Sequence, residues 1–187
     1  VWSDEQDITS WNGVTTGYLD LEDEADPIQQ LITVIGGNLG IFRAESIYIG
    51  VPNNDITNPL SVSKYFNRGL YAPHTLQYLE GNWAFVSAKD IFLLSVEGLS
   101  LTSIGEPIRH EFFDLVDPDQ LEYAWSFVDQ VAQEYYIVTA LKDGTQRGWV
   151  FNYYDKTWTM QDMTGITVLI SWYNAGTNDP EYTPPAP

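Results

Sequence analysis

Two segments of this chain repeat one pattern of apolar residues and turn glycines at an offset of 44 residues, and that spacing limits the folds open to it. Thr33-Val34-Ile35-Gly36-Gly37-Asn38-Leu39-Gly40-Ile41-Phe42 aligns without a gap on Gln77-Tyr78-Leu79-Glu80-Gly81-Asn82-Trp83-Ala84-Phe85-Val86. Ser46-Ile47-Tyr48-Ile49-Gly50-Val51 falls on Asp90-Ile91-Phe92-Leu93-Leu94-Ser95 at the same offset. A period of about 45 residues filled with short strands is what radially repeated four-stranded blades require. The repeat predicts an all-β chain: a β-propeller, or part of one, built of four-stranded antiparallel blades.

The chain divides on that template into three complete blades and two partial ones within residues 1–173, followed by a Pro-rich tail or linker over 174–187. The first complete blade spans 30–66, with strands over Gln30–Ile35, Asn38–Arg43, Ser46–Val51 and Ser61–Phe66. The second spans 75–104, with strands over Thr75–Leu79, Asn82–Ser87, Ile91–Val96 and Leu99–Ile104, and Glu97-Gly98 as a hairpin turn. The third spans 122–161, with strands over Glu122–Asp129, Glu134–Leu141, Gly148–Tyr153 and Thr157–Gln161. Asp143-Gly144 marks a turn inside it. Residues 1–12 and 164–172 read as broken pieces of the same unit. Two expectations follow: a fragment of a longer propeller, or a small ring whose last blade is shared between the termini, closing the sheet edges. Asn- and Asp-rich Pro52–Pro59 reads as a loop, and Arg109–Gln120 as a linker holding one helical turn, for which Asp117-Pro118-Asp119-Gln120 is a start signal.

Seven Trp, twelve Tyr and eight Phe supply large side chains for packing between blades. Each, when buried, contributes about 3 kcal/mol. With no cysteine, disulfides, thiolate metal sites and cysteine nucleophiles are excluded. No run reaches the roughly 18 apolar residues of a membrane span, so no span is expected. The formal charge is −18, from 26 acidic against 8 basic residues. Tight nucleic-acid binding works through phosphate neutralisation by Lys and Arg, which this chain lacks. An acidic wall would let a duplex pass without holding it; the plainer alternative is solvating surface.

No residue is assigned a catalytic, cofactor-binding or metal-binding role. His110-Glu111 with Asp114 lacks the second histidine of a zinc helix, and His74 and His110 are the only histidines. Asp20, Glu22, Asp23, Glu24 and Asp26 form an acidic cluster without the alternation of a calcium loop, so a solvated loop is the simpler reading. There is no Gly-x-Ser-x-Gly elbow and no phosphate-binding Gly-rich loop. Arg43, Arg68, Arg109 and Arg147 are scattered, unlike the arginine cluster expected of a sialidase-type propeller. No enzyme activity is expected. Trp83, Trp125 and Trp149 lie inside predicted strands and are assigned to core packing, whereas Trp2, Trp11, Trp158 and Trp172 lie near strand ends and are candidates for stacking on a sugar.

Gly69-Leu70-Tyr71-Ala72-Pro73-His74-Thr75, followed by Gly81-Asn82-Trp83-Ala84-Phe85-Val86-Ser87-Ala88-Lys89-Asp90-Ile91-Phe92, resembles the propeller units of tailed-bacteriophage virion proteins. Val1-Trp2-Ser3-Asp4 to Trp11, Leu19-Asp20-Leu21, Leu39-Gly40-Ile41-Phe42 with Ser46-Ile47-Tyr48, and Ile104-Gly105-Glu106-Pro107-Ile108 with Phe112-Phe113 extend the likeness over roughly residues 1 to 162. The chain departs from that pattern at Lys89-Asp90-Ile91, where the usual turn glycine is missing. The resemblance implies a structural component of a phage virion, in the tail or head-to-tail region: a ring-forming nozzle, plug or adaptor along the DNA exit path. Its partners would be other virion proteins and further copies of itself, with DNA at most passing through and no cofactor. The alternatives are a glycan- or receptor-binding propeller module and, beyond that, a glycoside hydrolase.

Overall fold

Apolar strands of three to seven residues separated by short polar turns cannot bury their faces alone, and among the described residues they do so in three sheets. The computed structural model describes residues 9–10, 17–18, 21, 26–34, 37–53, 55, 58–95, 97 and 99–165. The first sheet contains β1 (Ile28–Thr33), β2 (Leu39–Arg43), β3 (Ile47–Pro52) and β4 (Leu60–Phe66). The second contains β5 (Gln77–Leu79), β6 (Asn82–Val86), β7 (Ile91–Ser95) and β8 (Leu101–Ser103). The third contains β9 (Trp125–Asp129), β10 (Glu134–Ala140), β11 (Gln146–Asn152) and β12 (Thr157–Asp162). Each is an antiparallel meander whose neighbours in the sheet are neighbours in the chain. Over the described residues the chain is thus all-β, in three four-stranded sheets with the expected strands in the expected order. The expected partial blade over 1–12 and the tail over 174–187 lie outside the described residues, apart from Thr9 and Ser10. The other partial blade, 164–172, is described only at Thr164 and Gly165.

Turn chemistry sets the register. Glu80 and Gly81 join β5 to β6 with φ of 41° and 91°, the paired left-handed conformation that suits the strand twist. The turn between β10 and β11 runs over three residues, with Gly144 at φ 83° and the Asp143 carboxylate accepting from the Thr145 amide at 2.9 Å. Leu94 pairs with Leu101, and Ser95 N–H donates to Ser100 O at 2.8 Å, so the register of β7 and β8 centres on Glu97-Gly98 as expected, but the closing bond spans four residues rather than the two of the expected hairpin turn. Gly98 itself lies outside the described residues.

The sheets pack face to face in chain order. On one side of the second sheet, Phe85, Phe92 and Leu94 join Val34, Phe42, Ile47 and Ile49 of the first. Phe42 meets Phe85 edge to face, with centroids 5.4 Å apart. On its other side, Ala84, Val86 and Ile91 join Tyr135, Ile137, Trp149 and Phe151 of the third. Hydrogen bonds fix how neighbouring sheets meet. Gln30 Nε2 of β1 donates to Pro73 O at 2.7 Å, just before the second sheet, and Gln77 Nε2 of β5 donates to Ser126 O of β9 at 3.1 Å. Tyr135 Oη donates to Thr75 O at 2.6 Å, and Trp158 Nε1 of β12 donates to Ile104 O at 2.8 Å.

The linkers depart from expectation. A two-turn helix, α1 (Arg109–Leu115), precedes the Asp117-Pro118 signal, which instead opens a single 3-10 turn at Leu121–Tyr123. Burial explains the helix: Phe112 is fully buried against Trp149, with centroids 4.9 Å apart, and Val116 one turn later is buried too. The 3-10 turns at Pro73–Thr75 and Leu121–Tyr123 delay β5 to Gln77 and β9 to Trp125. Thr75 is the joint between sheets: its hydroxyl accepts from Val86 N–H at 2.9 Å and donates to Ala72 O at 2.7 Å, while its carbonyl takes the Tyr135 bond.

Glycine is required where the chain leaves the first sheet. A Cβ on Gly69 would lie 2.2 Å from Arg43 O and 2.4 Å from Ser46 N, both backbone atoms of the turn beneath it. Gly69→Ala should therefore lower unfolding stability by about 2–4 kcal/mol in urea titrations, whereas Gly144→Asn, in open space at a φ that Asn tolerates, should cost under about 1 kcal/mol.

Candidate functional site

The β2–β3 and β6–β7 turns close over two residues without glycine. Arg43 N–H donates to Ser46 O and Ser87 N–H to Asp90 O, each at 2.9 Å, around Ala44-Glu45 and Ala88-Lys89. The glycine missing at Lys89-Asp90-Ile91 therefore does not loosen that turn. An aspartate braces each one. Asp26 Oδ2 accepts from the Glu45 amide at 2.9 Å and the Ser46 hydroxyl at 3.2 Å, and Arg43 Nε donates to Asp26 O at 2.6 Å with its carboxylate 3.8 Å away. Asp90 Oδ1 accepts from the Ile91 amide at 2.9 Å, and its Oδ2 from the Ser103 hydroxyl at 2.9 Å and from Arg109 Nη2. The arginines answer a physical need. A carboxylate taken from water at these turns costs free energy unless it is paired and hydrogen-bonded.

A second feature lies on the face of the third sheet turned away from the second. Register puts Phe127 opposite Tyr136 and Trp125 opposite Val138 there. Phe127 and Tyr136 stack at 4.2 Å with a 14° interplanar angle, and Trp125 and Phe127 at 6.2 Å and 29°. All three rings are half-buried. Tyr136 Oη donates to Glu134 Oε2 at 2.5 Å. Burial, together with the Glu134 carboxylate beside it, pushes the Tyr136 hydroxyl up to about 12. Burial likewise raises Tyr135, which the side chains of Ser126 and Thr75 only partly offset. Such a strip can stack on the apolar face of a sugar, with Glu134 as a polar neighbour.

The sequence candidates do not converge. His74, His110, Glu111 and Asp114 are all exposed, the first before β5 and the rest on α1, and among the described residues no group of three or more His, Cys, Asp or Glu could hold a metal ion. Of the acidic cluster only Asp26 is described, and it serves as the partner of Arg43; Asp20, Glu22, Asp23 and Glu24 lie outside the described residues. The arginines remain apart: Arg43 and Arg109 pair with different aspartates, Arg147 lies 5.8 Å over Trp149, and Arg68 donates to Asn67 O. Trp149 is fully buried as expected. Trp125 is not core, because the odd–even alternation of β9 places it on the outer face, and Trp83 is half-buried beside Tyr78 at 5.3 Å. Trp158 is half-buried on Phe151 with its Nε1 bound to Ile104 O, so it offers no free indole edge; Trp2, Trp11 and Trp172 lie outside the described residues. The bracing roles of Asp90 and Asp26 were not legible, since their arginines are 19 and 17 residues away.

No protein-family model matches the chain, and no curated protein matches it. Among the described residues no helix is long and apolar enough to cross a membrane.

Two outcomes are expected. Asp90→Ala, which strips acceptors from three donors, should destabilise by about 2–3 kcal/mol and Arg109→Ala, half-exposed at the rim, by about 1 kcal/mol or less, as read by thermal denaturation. Tyr136 has its folded pKa raised above the ordinary 10.0, to about 12. The neutral hydroxyl therefore stabilises the fold fully below pH about 10, and that contribution is lost as pH rises through about 12. Tyr136→Phe should remove one late-titrating step from the tyrosinate absorbance curve and flatten stability across that window.

Proposed function

We propose that the three sheets are propeller blades fanned about a common axis, and that the protein is a structural component of a bacteriophage virion. Its place is the tail or head-to-tail region, as a ring-forming nozzle, plug or adaptor along the DNA exit path. The observation that carries this reading is the repeated seam. Glutamine from the first strand of one sheet bonds a backbone carbonyl at or just before the first strand of the next, once as Gln30 to Pro73 and again as Gln77 to Ser126. One sheet-to-sheet relation applied twice, anchored at first strands, is how blades accumulate around an axis. The phage assignment rests on the resemblance of Gly69–Thr75 and Gly81–Phe92 to virion propeller units. The charge of −18 supports it, because an acidic wall repels a passing duplex. Other virion proteins and further copies of the chain are its partners in this reading.

The test is native mass spectrometry and cryo-electron microscopy of the full-length protein. A closed symmetric ring, or a stable complex with another virion protein, is the expected result. A lone monomer at high concentration that binds no virion protein would refute the assignment, and a density map showing the sheets as a flat stack would refute the propeller.

A second reading, a glycan- or receptor-binding module, has the Trp125, Phe127 and Tyr136 strip in its favour. It predicts glycan-array binding that Trp125→Ala abolishes; an array without hits removes it.

A further inference from the structure

Basic side chains are scarce in this chain, yet three of its eight face one cleft. Lys64 from β4, Arg68 from the segment after it and Lys89 from the β6–β7 turn line a hollow of about 340 Å³ between the first and second sheets. Glu45 is the one acid among the described residues lining it, although acids outnumber bases 26 to 8 in the chain. Asn67 and the buried Ser87 complete its polar wall, and among the described residues no lining side chain is apolar and larger than alanine. The arrangement is held from below. Leu70 N–H donates to Arg43 O at 2.8 Å, and Gly69 presses on the β2–β3 turn, so the Arg68 segment is fixed against it. Arg68 Nη1 donates to Asn67 O at 2.9 Å, and Lys64 Nζ lies 6.0 Å from the Tyr48 ring. The amides of Gly69, Ala88 and Lys89 donate to no acceptor among the described residues.

Arg68 and Lys89 on the walls of one cleft repel, and an anion between them turns that repulsion into attraction. Among the described lining residues an apolar ligand has nothing to pack against. A polyanion such as DNA is repelled by the rest of the acidic surface, which leaves a compact anion of low total charge. Guanidinium and ammonium donors with backbone amides suit the several acceptor oxygens of a tetrahedral ion. We propose that this cleft binds a small tetrahedral oxyanion, phosphate or sulfate, free or as the ester group of a small polar molecule. The proposal does not depend on the virion reading.

The full chain, labelled with ¹⁵N, is titrated at constant ionic strength with sodium phosphate, sodium sulfate and ribose 5-phosphate. Saturable shifts of the Gly69, Ala88 and Lys89 amides are expected. Arg68→Gln and Lys89→Gln should each weaken binding about tenfold or more, and Lys156→Gln, on a turn of the third sheet, should leave it unchanged. Both substitutions lie at exposed positions, and an unchanged melting temperature confirms that the fold is intact. Tighter binding of ribose 5-phosphate than of inorganic phosphate assigns the site to an ester, and equal binding to the free ion. Shifts that do not saturate, or that spread equally over the Lys142 and Lys156 turns, mean an adventitious ion only and overturn the proposal. Binding that survives the Arg68→Gln/Lys89→Gln double substitution overturns it as well.

Discussion

A sheet that is apolar on both faces has no stable place except between two others, and the second sheet is of that kind. Ala84, Val86 and Ile91 point one way, Phe85, Phe92 and Leu94 the other, and all are buried. A buried aromatic contributes about 3 kcal/mol, against about 1 kcal/mol net for a typical hydrogen bond. Apolar burial therefore holds the three sheets together. The bonds from Gln30, Gln77, Tyr135 and Trp158 do something different, fixing where each sheet meets the next. Their directionality turns a slippery apolar contact into one geometry.

That layering creates the polar problem that the arginines solve. Chain segments fold back over the β2–β3 and β6–β7 turns, where Gly69 and Gly105 make backbone approaches too close for a side chain. Turn donors there are satisfied by Asp26 and Asp90, and their charge is balanced by Arg43 and Arg109. Two of the eight cations are used in this way and three more face the cleft between those turns. In so acidic a chain, most of the positive charge is committed to one end of the first two sheets.

The strands were legible because their signals are local. Alternation in Leu60–Phe66, dense β-branched and aromatic residues in Asn82–Val86 and Glu134–Ala140, and turn pairs such as Glu80-Gly81 each act within about ten residues. The misses have non-local causes. Helix α1 forms because Phe112 finds Trp149 across the core, and Thr75 leaves the strand geometry expected of it to bridge Ala72, Val86 and Tyr135. Trp125 was assigned to the core from its place in a strand, but alternation alone does not say which of two faces is covered.

The sequence by itself determined the all-β class, the three meanders and most strand boundaries, because backbone hydrogen bonding between neighbours needs only short apolar runs and the right turn residues. Tertiary structure alone decided which aspartate holds which arginine, which tryptophan is fully buried, and that Lys64, Arg68 and Lys89 share a cleft. The reason is distance along the chain. Asp26 and Arg43 are 17 residues apart, Asp90 and Arg109 19, and Thr75 and Tyr135 60, so each pairing exists only once whole sheets have packed.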